Sequence, residues 1–274
     1  MLIVDGQIHL WEKGTPSAQH RQTPYLATQA IADMDAGGVD RALVHPVLWD
    51  PDSNELALKA VQQHPDRFAI MGWFYLDDPR GRDLVAHWKE RPGMLGLRFY
   101  FNERHKREWV TDGTLDWLWP AAEKAGVPLA LAAALFLPTV GKIAERHPGL
   151  KLIVDHMGVP PGSKGAQAYR FQPELLALAK YPNVAVKATG QAGYAEDAYP
   201  FRSLHEPLHR CFDSFGPERM FWGTDITRMP CSWRQCVTLF TEELPWLTGR
   251  DLDLVMGEAL CKWIGWEMSG GAKG

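Results

Sequence analysis

The ten residues His147-Pro-Gly-Leu-Lys-Leu-Ile-Val-Asp-His156 hold the pattern that organises the whole chain. His147-Pro148-Gly149 stops the stretch before it, because proline has no N–H to give and pushes its predecessor out of helical geometry. A short β-branched apolar run follows and ends on two polar side chains, Asp155 and His156. The same unit recurs in both directions, with predicted strands at Leu2–Leu10, Arg41–Val47, Phe68–Leu76, Met94–Phe101, Pro128–Ala134, Lys151–His156, Val184–Ala188 and Met220–Asp225. Breakers such as Gly37-Gly38-Val39-Asp40, His64-Pro65-Asp66, Arg91-Pro92-Gly93 and Ala125-Gly126-Val127-Pro128 precede most of them. Apolar runs alternating with amphipathic stretches imply parallel strands joined by helical crossovers. The spacing predicts an α/β chain, a (β/α)8 TIM barrel forming a single domain over residues 1–268, with a flexible Gly-rich tail at 269–274. An open doubly wound sheet writes the same alternation and is the competing topology.

Composition narrows the function classes. Twenty-nine Lys plus Arg against 33 Asp plus Glu give a net charge of −4 over 274 residues. No basic field exists to hold nucleic acid or an anionic membrane, so a small-molecule substrate is expected. The opening MLIVDGQIHLW has no basic segment, and Asp5 and Gln7 interrupt its apolar run, which argues against a signal peptide. Nothing later reaches the roughly 20 apolar residues of a membrane span. Cys211, Cys231, Cys236 and Cys261 show no CxxC spacing and read as reduced thiols of a cytoplasmic protein. A homo-oligomer is compatible with all of this.

Ser232 ahead of Trp233, Val237, Phe240 and Leu244 predicts a capped amphipathic helix. Pro120 and Pro207 predict helices that start late, with proline in the first turn. Glu12–Tyr25 and Gly158–Gln172 read as long loops over the barrel mouth.

Strand ends carry the chemistry in a barrel, and here they are polar: Gln7 and His9 on strand one, His45 on two, Arg98, Tyr100 and Asn102 on four, Asp155 and His156 on six, Lys187 on seven, Thr224 and Asp225 on eight. Period-two spacing puts Gln7 with His9, and Arg98 with Tyr100, on common faces. Each has a plainer explanation as well. His9 can be satisfied by backbone, Asp155 can orient His156, Asp225 can pair with Arg228, Arg98 can form a salt bridge to a neighbouring strand, and a buried Lys187 can pair with a carboxylate.

VDGQIHLW at residues 4–11, VDHMG around His156, WGTD ending at Asp225 and VMGEALCKWIGW near the C-terminus resemble the amidohydrolase-related family of barrel hydrolases. The resemblance is nearest to its sugar lactonase and pyrone dicarboxylate lactonase branch, and the family also holds aromatic decarboxylases. It implies that His9 stands at the second His of the family's HxH, His156 at the strand-six His and Asp225 at the strand-eight Asp. Gln7 replaces the first His, and strand five offers neither His nor Lys. A neutral amide is a poor zinc ligand, so the expected cofactor is none, with a divalent metal on His9, His156 and Asp225 as the competing arrangement.

The resemblance implies a hydrolase opening a lactone or related ester of a small cyclic or carboxylated substrate. Asp225 is then the general base poised against His9, and His156 polarises the carbonyl. Substrate contacts are expected from Gln7, His45, Arg98, Tyr100 and Lys187, with Trp11 and Trp49 walling an apolar side. A metal-dependent decarboxylase and a catalytically silent ligand-binding barrel are the alternatives.

Overall fold

Eight parallel strands follow one another round the sheet in chain order. They are β1 (Val4–Ile8), β2 (Arg41–Val44), β3 (Phe68–Gly72), β4 (Met94–Tyr100), β5 (Leu129–Ala132), β6 (Leu152–Val154), β7 (Val184–Ala188) and β8 (Met220–Trp222). A doubly wound sheet would reverse its order midway, so this unbroken order selects the (β/α)8 barrel. The computed structural model describes residues 1–101 and 104–267, which leaves Asn102 and the expected tail at 269–274 outside the described residues. Helices that include Ala27–Gly37, Ser53–Gln63, Leu137–Arg146 and His205–Phe215 fill the crossovers. No helix among the described residues is long and apolar enough to cross a membrane.

Side-chain alternation sorts the apolar residues into two cores. Val4, Leu43, Ala69, Met71, Ala130, Ile153, Ala185 and Phe221 fill the barrel interior, closed off by Ala259, Leu260, Cys261 and Ile264 of the last helix. The intervening residues, Ile8, Val44, Ile70, Leu97, Leu129, Val154, Val186 and Trp222 among them, belong to the larger core with the surrounding helices. Fully burying one such side chain stabilises the fold by roughly 1.5–3 kcal/mol, so the filled interior is a rigid base for whatever sits above it.

Closure between β8 and β1 depends on polar groups. The Asp225 N–H donates to the Gln7 carbonyl at 2.8 Å. The buried Asp5 carboxylate accepts the Thr224 N–H at 2.8 Å, the Trp233 indole N–H at 2.8 Å, the Gln7 N–H at 2.9 Å and the Thr224 hydroxyl. Gly223 is required at this seam: a Cβ there would lie 2.5 Å from Thr189 Cγ2 and 2.8 Å from the Gly6 nitrogen. The ladder shifts register between Asp5 and Ile8. That irregularity lets Asp5 turn to the barrel wall while Gln7 and His9 turn to the mouth.

Seven strands are shorter than their sequence signatures while β7 matches its own, and the polar endings His9, His45, Asp155, His156, Thr224 and Asp225 lie beyond their strands. His156 and Met157 (φ 55° and 53°) and Asp225 (φ 57°) adopt left-handed backbone conformations. Such geometry costs a non-glycine residue about 1–3 kcal/mol and is found where side chains must be aimed. Here it brings the consecutive Asp155 and His156 to one cavity, which plain strand alternation would forbid. Ser232 caps Trp233–Thr241 with a full capping box to Gln235, as its sequence predicts. Pro120 and Pro207 sit in the first turns of Leu118–Ala125 and His205–Phe215. The segment expected as one loop at Gly158–Gln172 contains a short helix, Gly165–Ala168.

Candidate active site

A cavity of about 220 Å³ opens at the C-terminal ends of the strands. His9, His20, Arg98, Tyr100, Asp155, His156, Tyr194, Asp225 and Arg228 supply its polar lining, while Pro46, Leu48, Trp49, Ala132–Ala134, Val159 and Pro161 supply an apolar side. Of the residues expected to touch substrate, Arg98, Tyr100 and Trp49 line it. Gln7, His45, Lys187 and Trp11 do not. Trp11 is buried behind Trp49, ring centroids 5.6 Å apart.

Gln7, His45 and Lys187 form a layer beneath the floor. The fully buried Lys187 ammonium donates to Gln7 Oε1 at 2.8 Å, forms an ion pair with Asp155 Oδ1 at 2.8 Å and lies 3.0 Å from His45 Nε2, which also stands 3.2 Å from the Gly6 carbonyl. Burial pulls its pKa down to about 8, with Asp155 opposing the fall. Burial, then the Lys187 charge, keeps His45 well below the ordinary histidine range. An ammonium only donates, so the Gln7 carbonyl oxygen must face Lys187. The Gln7 amide nitrogen therefore faces His156 Nε2 at 3.3 Å and His9 Nε2 at 3.5 Å.

Asp155 serves this layer and does not orient His156. Its second oxygen accepts the Arg98 Nε–H at 2.7 Å. Burial raises a carboxyl, but Lys187 and Arg98 overcome that and hold Asp155 below the usual carboxylate range. Lys187 thus pairs with a carboxylate as its plainer explanation has it, while Arg98 bridges to the same carboxylate two strands away, not on a neighbouring strand, and also reaches the cavity with Tyr100.

Asp225 divides the upper layer into two flanks. On one, Oδ1 lies 3.1 Å from His9 Nε2. His9 Nδ1 is 2.6 Å from the His45 carbonyl, which only accepts, so Nδ1 carries a proton and a single further proton can lie between Nε2 and Asp225. On the other flank, Arg228 Nε donates to Oδ2 at 2.6 Å and His156 Nε2 stands 3.9 Å from that oxygen. Burial would raise the Asp225 carboxyl; Arg228 and His9 overcome it and hold it well below its ordinary value. Arg228 also donates to the Tyr194 hydroxyl at 2.7 Å. Room for its guanidinium comes from Gly190, where a Cβ would fall 2.2 Å from Nη2. His156 Nδ1 meets Thr189 Oγ1 at 2.8 Å and Arg228 Nη2 at 3.3 Å. Burial and the Arg228 charge lower its pKa to about 3, so the ring is neutral.

Sequence reasoning left His20, Thr189, Tyr194 and Arg228 out of the site. Arg228 was visible as a partner for Asp225. His20 carried no signal, because a loop and not a strand delivers it. His20 Nδ1 bonds Thr227 Oγ1 at 2.8 Å, and burial lowers its pKa to about 4. Ligand atoms of His9, His20 and Asp225 gather within 4.8 Å of one another, so the trio with metal-like spacing holds His20 in place of the expected His156. Its surroundings do not fit a tightly held divalent ion. Gln7 aims N–H groups where a further ligand would need a lone pair, Arg228 already neutralises Asp225, and Lys187 and Arg98 add positive charge nearby.

Comparison with known proteins agrees with the fold. The chain is 26% identical over 193 residues to an L-fucono-1,5-lactonase from Burkholderia ambifaria, covering 69% of this chain and 65% of that protein. It is 28% identical over 222 residues to a 4-sulfomuconolactone hydrolase from Hydrogenophaga intermedia, covering 72% and 66%. The aligned part is thus slightly under two thirds of each relative. A crystal structure of an amidohydrolase from Burkholderia multivorans with bound zinc superposes with a TM-score of 0.82 at 21% identity, covering 97% of this chain and 99% of that one. The amidohydrolase family model matches residues 4–263. Barrel, polar strand ends and a match across nearly the whole chain agree: this protein belongs to the amidohydrolase family.

Proposed function

We propose that this protein is a hydrolase that opens a lactone of a small cyclic substrate without a metal. The observation that carries the proposal is Asp225, a buried carboxylate lining a strand-end cavity and flanked by imidazoles on both oxygens. Water bound against Asp225 gives it a proton, and the water oxygen adds to the lactone carbonyl. The tetrahedral oxyanion needs donors already in place. His156 is placed to supply one from Nε2, which stands 3.9 Å from Asp225 Oδ2 beside the Gln7 amide, in the tautomer that carries its proton there. Collapse of the intermediate breaks the ring C–O bond and yields a hydroxy acid.

Gln7, His45 and Lys187 act from below, fixing the imidazoles of His9 and His156. Lys187, Arg98 and Arg228 face Asp155 and Asp225, three positive charges to two negative, which suits a neutral or singly carboxylated substrate. Arg98 with Tyr100 holds a carboxylate or ring oxygen, and Trp49 with Ala132–Ala134 takes the apolar edge. The lactone-hydrolysing relatives support this choice over decarboxylation, for which the metal is poorly accommodated. A net negative chain with free thiols fits small-molecule work in the cytoplasm.

A screen of aldonolactones, muconolactones and pyrone carboxylates for acid release, with and without chelator, tests the reading. Acid release that survives chelation is expected. Release of CO₂ in place of ring opening, or one equivalent of bound zinc or manganese whose removal abolishes activity and whose return restores it, would overturn it.

A further inference from the structure

Lactone opening needs a proton twice: water loses one at attack, and the ring oxygen gains one when the C–O bond breaks. Asp225 can take the first, but its pairing with Arg228 makes it a poor place to keep it. We propose that His20 relays that proton from Asp225 to the leaving ring oxygen, an inference that rests on the lactone reading above.

Three features of the structure support the relay. His20 lines the cavity, one of its ring nitrogens lies within 4.8 Å of a ring nitrogen of His9 and a carboxylate oxygen of Asp225, and its ring centroid is 5.3 Å from that of His9, the imidazole at Oδ1. His156 stands 3.9 Å from Oδ2 of the same carboxylate, so an ester group lying across the cavity with its carbonyl at His156 can turn its ring oxygen toward His20. The loop that carries His20 is clamped for the purpose. Nδ1 bonds Thr227 Oγ1 at 2.8 Å, the Arg21 N–H donates to the Thr227 carbonyl at 2.7 Å, and Gln22 Nε2 donates to the His20 carbonyl at 2.6 Å. With Nδ1 engaged by Thr227, Nε2 is the ring atom left to carry the proton.

The step balances without any other reactant. Water's proton passes to Asp225, then to His20 Nε2, giving a transient imidazolium whose Nδ1–H stays on Thr227. As the ring C–O bond breaks, the imidazolium gives that proton to the oxygen that takes the bonding electrons. Asp225 and His20 return to their starting forms, and the products are the alcohol and the carboxylic acid of one molecule, the acid then releasing the second water proton to solvent.

Sensitivity to the leaving group separates a relay from a structural role. An alkoxide must be protonated to leave, whereas a phenolate or enolate leaves without help. His20→Asn keeps a polar atom near the position of Nδ1 for Thr227 and removes Nε2. We expect kcat/KM to fall about 100-fold or more on an alkyl δ-lactone and by less than about five-fold on a phenolic lactone such as dihydrocoumarin. Thr227→Val, which keeps His20 but loosens it, should lie between wild type and His20→Asn on the alkyl substrate and near wild type on the phenolic one. Equal losses on both substrates, or no loss on either, would overturn the relay. So would one equivalent of zinc held by wild type and lost in His20→Asn, which would make His20 a ligand. Failure of wild type to open any lactone would instead bring down the lactone reading, and the relay with it.

Discussion

Replacing Asp225 in two ways separates its chemistry from its structural duty. Asn keeps the shape and one acceptor oxygen for the Arg228 Nε–H, now 2.6 Å from Oδ2, but cannot take a proton from water. Its kcat should fall by about 10²- to 10⁴-fold, the range for loss of a positioned base. Its stability should fall by about 1–3 kcal/mol, less than for a full truncation, since Arg228 loses its counter-charge but keeps a hydrogen-bond acceptor. Ala removes both oxygens. The Arg228 side chain is 10% exposed, so its guanidinium would be left buried with the Tyr194 hydroxyl in place of a counter-charge. Uncovering a buried charge in this way costs about 3–5 kcal/mol, which for a chain of this size lowers Tm by about 6–20 °C. Both variants should thus lose turnover to a similar degree while their melting temperatures separate. Steady-state kinetics on a lactone from the screen, with thermal melts followed by circular dichroism, reads both effects. An Asn variant turning over within a few-fold of wild type would remove Asp225 as the base. An Ala variant melting within about 2 °C of wild type would show that Arg228 does not depend on it.

Other perturbations test separate parts of the site. Arg98→Lys should raise KM for a carboxylated lactone about tenfold or more, because the planar fork is lost; an Arg98→Ala enzyme with unchanged kcat/KM on such substrates would refute the assignment. Rates should decline above about pH 8 as Lys187 loses the proton that holds Gln7 and Asp155, and a limb that persists unshifted in Lys187→Gln belongs to another group. Because a free lysine titrates near 10.5, the folded chain sheds this proton first, so the same residue should make folding slightly more favourable as pH rises from 8 toward 10.5, readable in urea melts. Gly223→Ala should destabilise by about 1–3 kcal/mol through its 2.5 Å approach to Thr189 Cγ2, and an unshifted urea midpoint would mean the β1–β8 seam can open at no cost.

Much of this protein is local in origin and so was legible in the sequence. Strand positions, the Ser232 cap and the two helix-start prolines follow from propensity and hydrogen-bond supply, which each segment carries with it. The shared faces of Gln7 with His9 and of Arg98 with Tyr100 follow from the two-residue strand period, and the family resemblance placed His9, His156 and Asp225 at strand ends. Period alone also puts Asp5 on the face of Gln7, and there it misleads, because the register shift in β1 turns Asp5 to the wall. The depth at which each side chain rests was not legible at all. Lys187, His45 and Gln7 write the same polar ending as Arg98 and Asp225, yet they lie under the floor. Which acceptor faces which cation depends on strands more than 50 residues apart, as with Arg98 and Asp155 or Lys187 and Gln7. His20 is the extreme case: its place beside Asp225 is set by hydrogen bonds to Thr227, some 200 residues away, formed only once the barrel has closed. Sequence period fixes the direction of a side chain along its own strand; what it meets is fixed by the packing of the others.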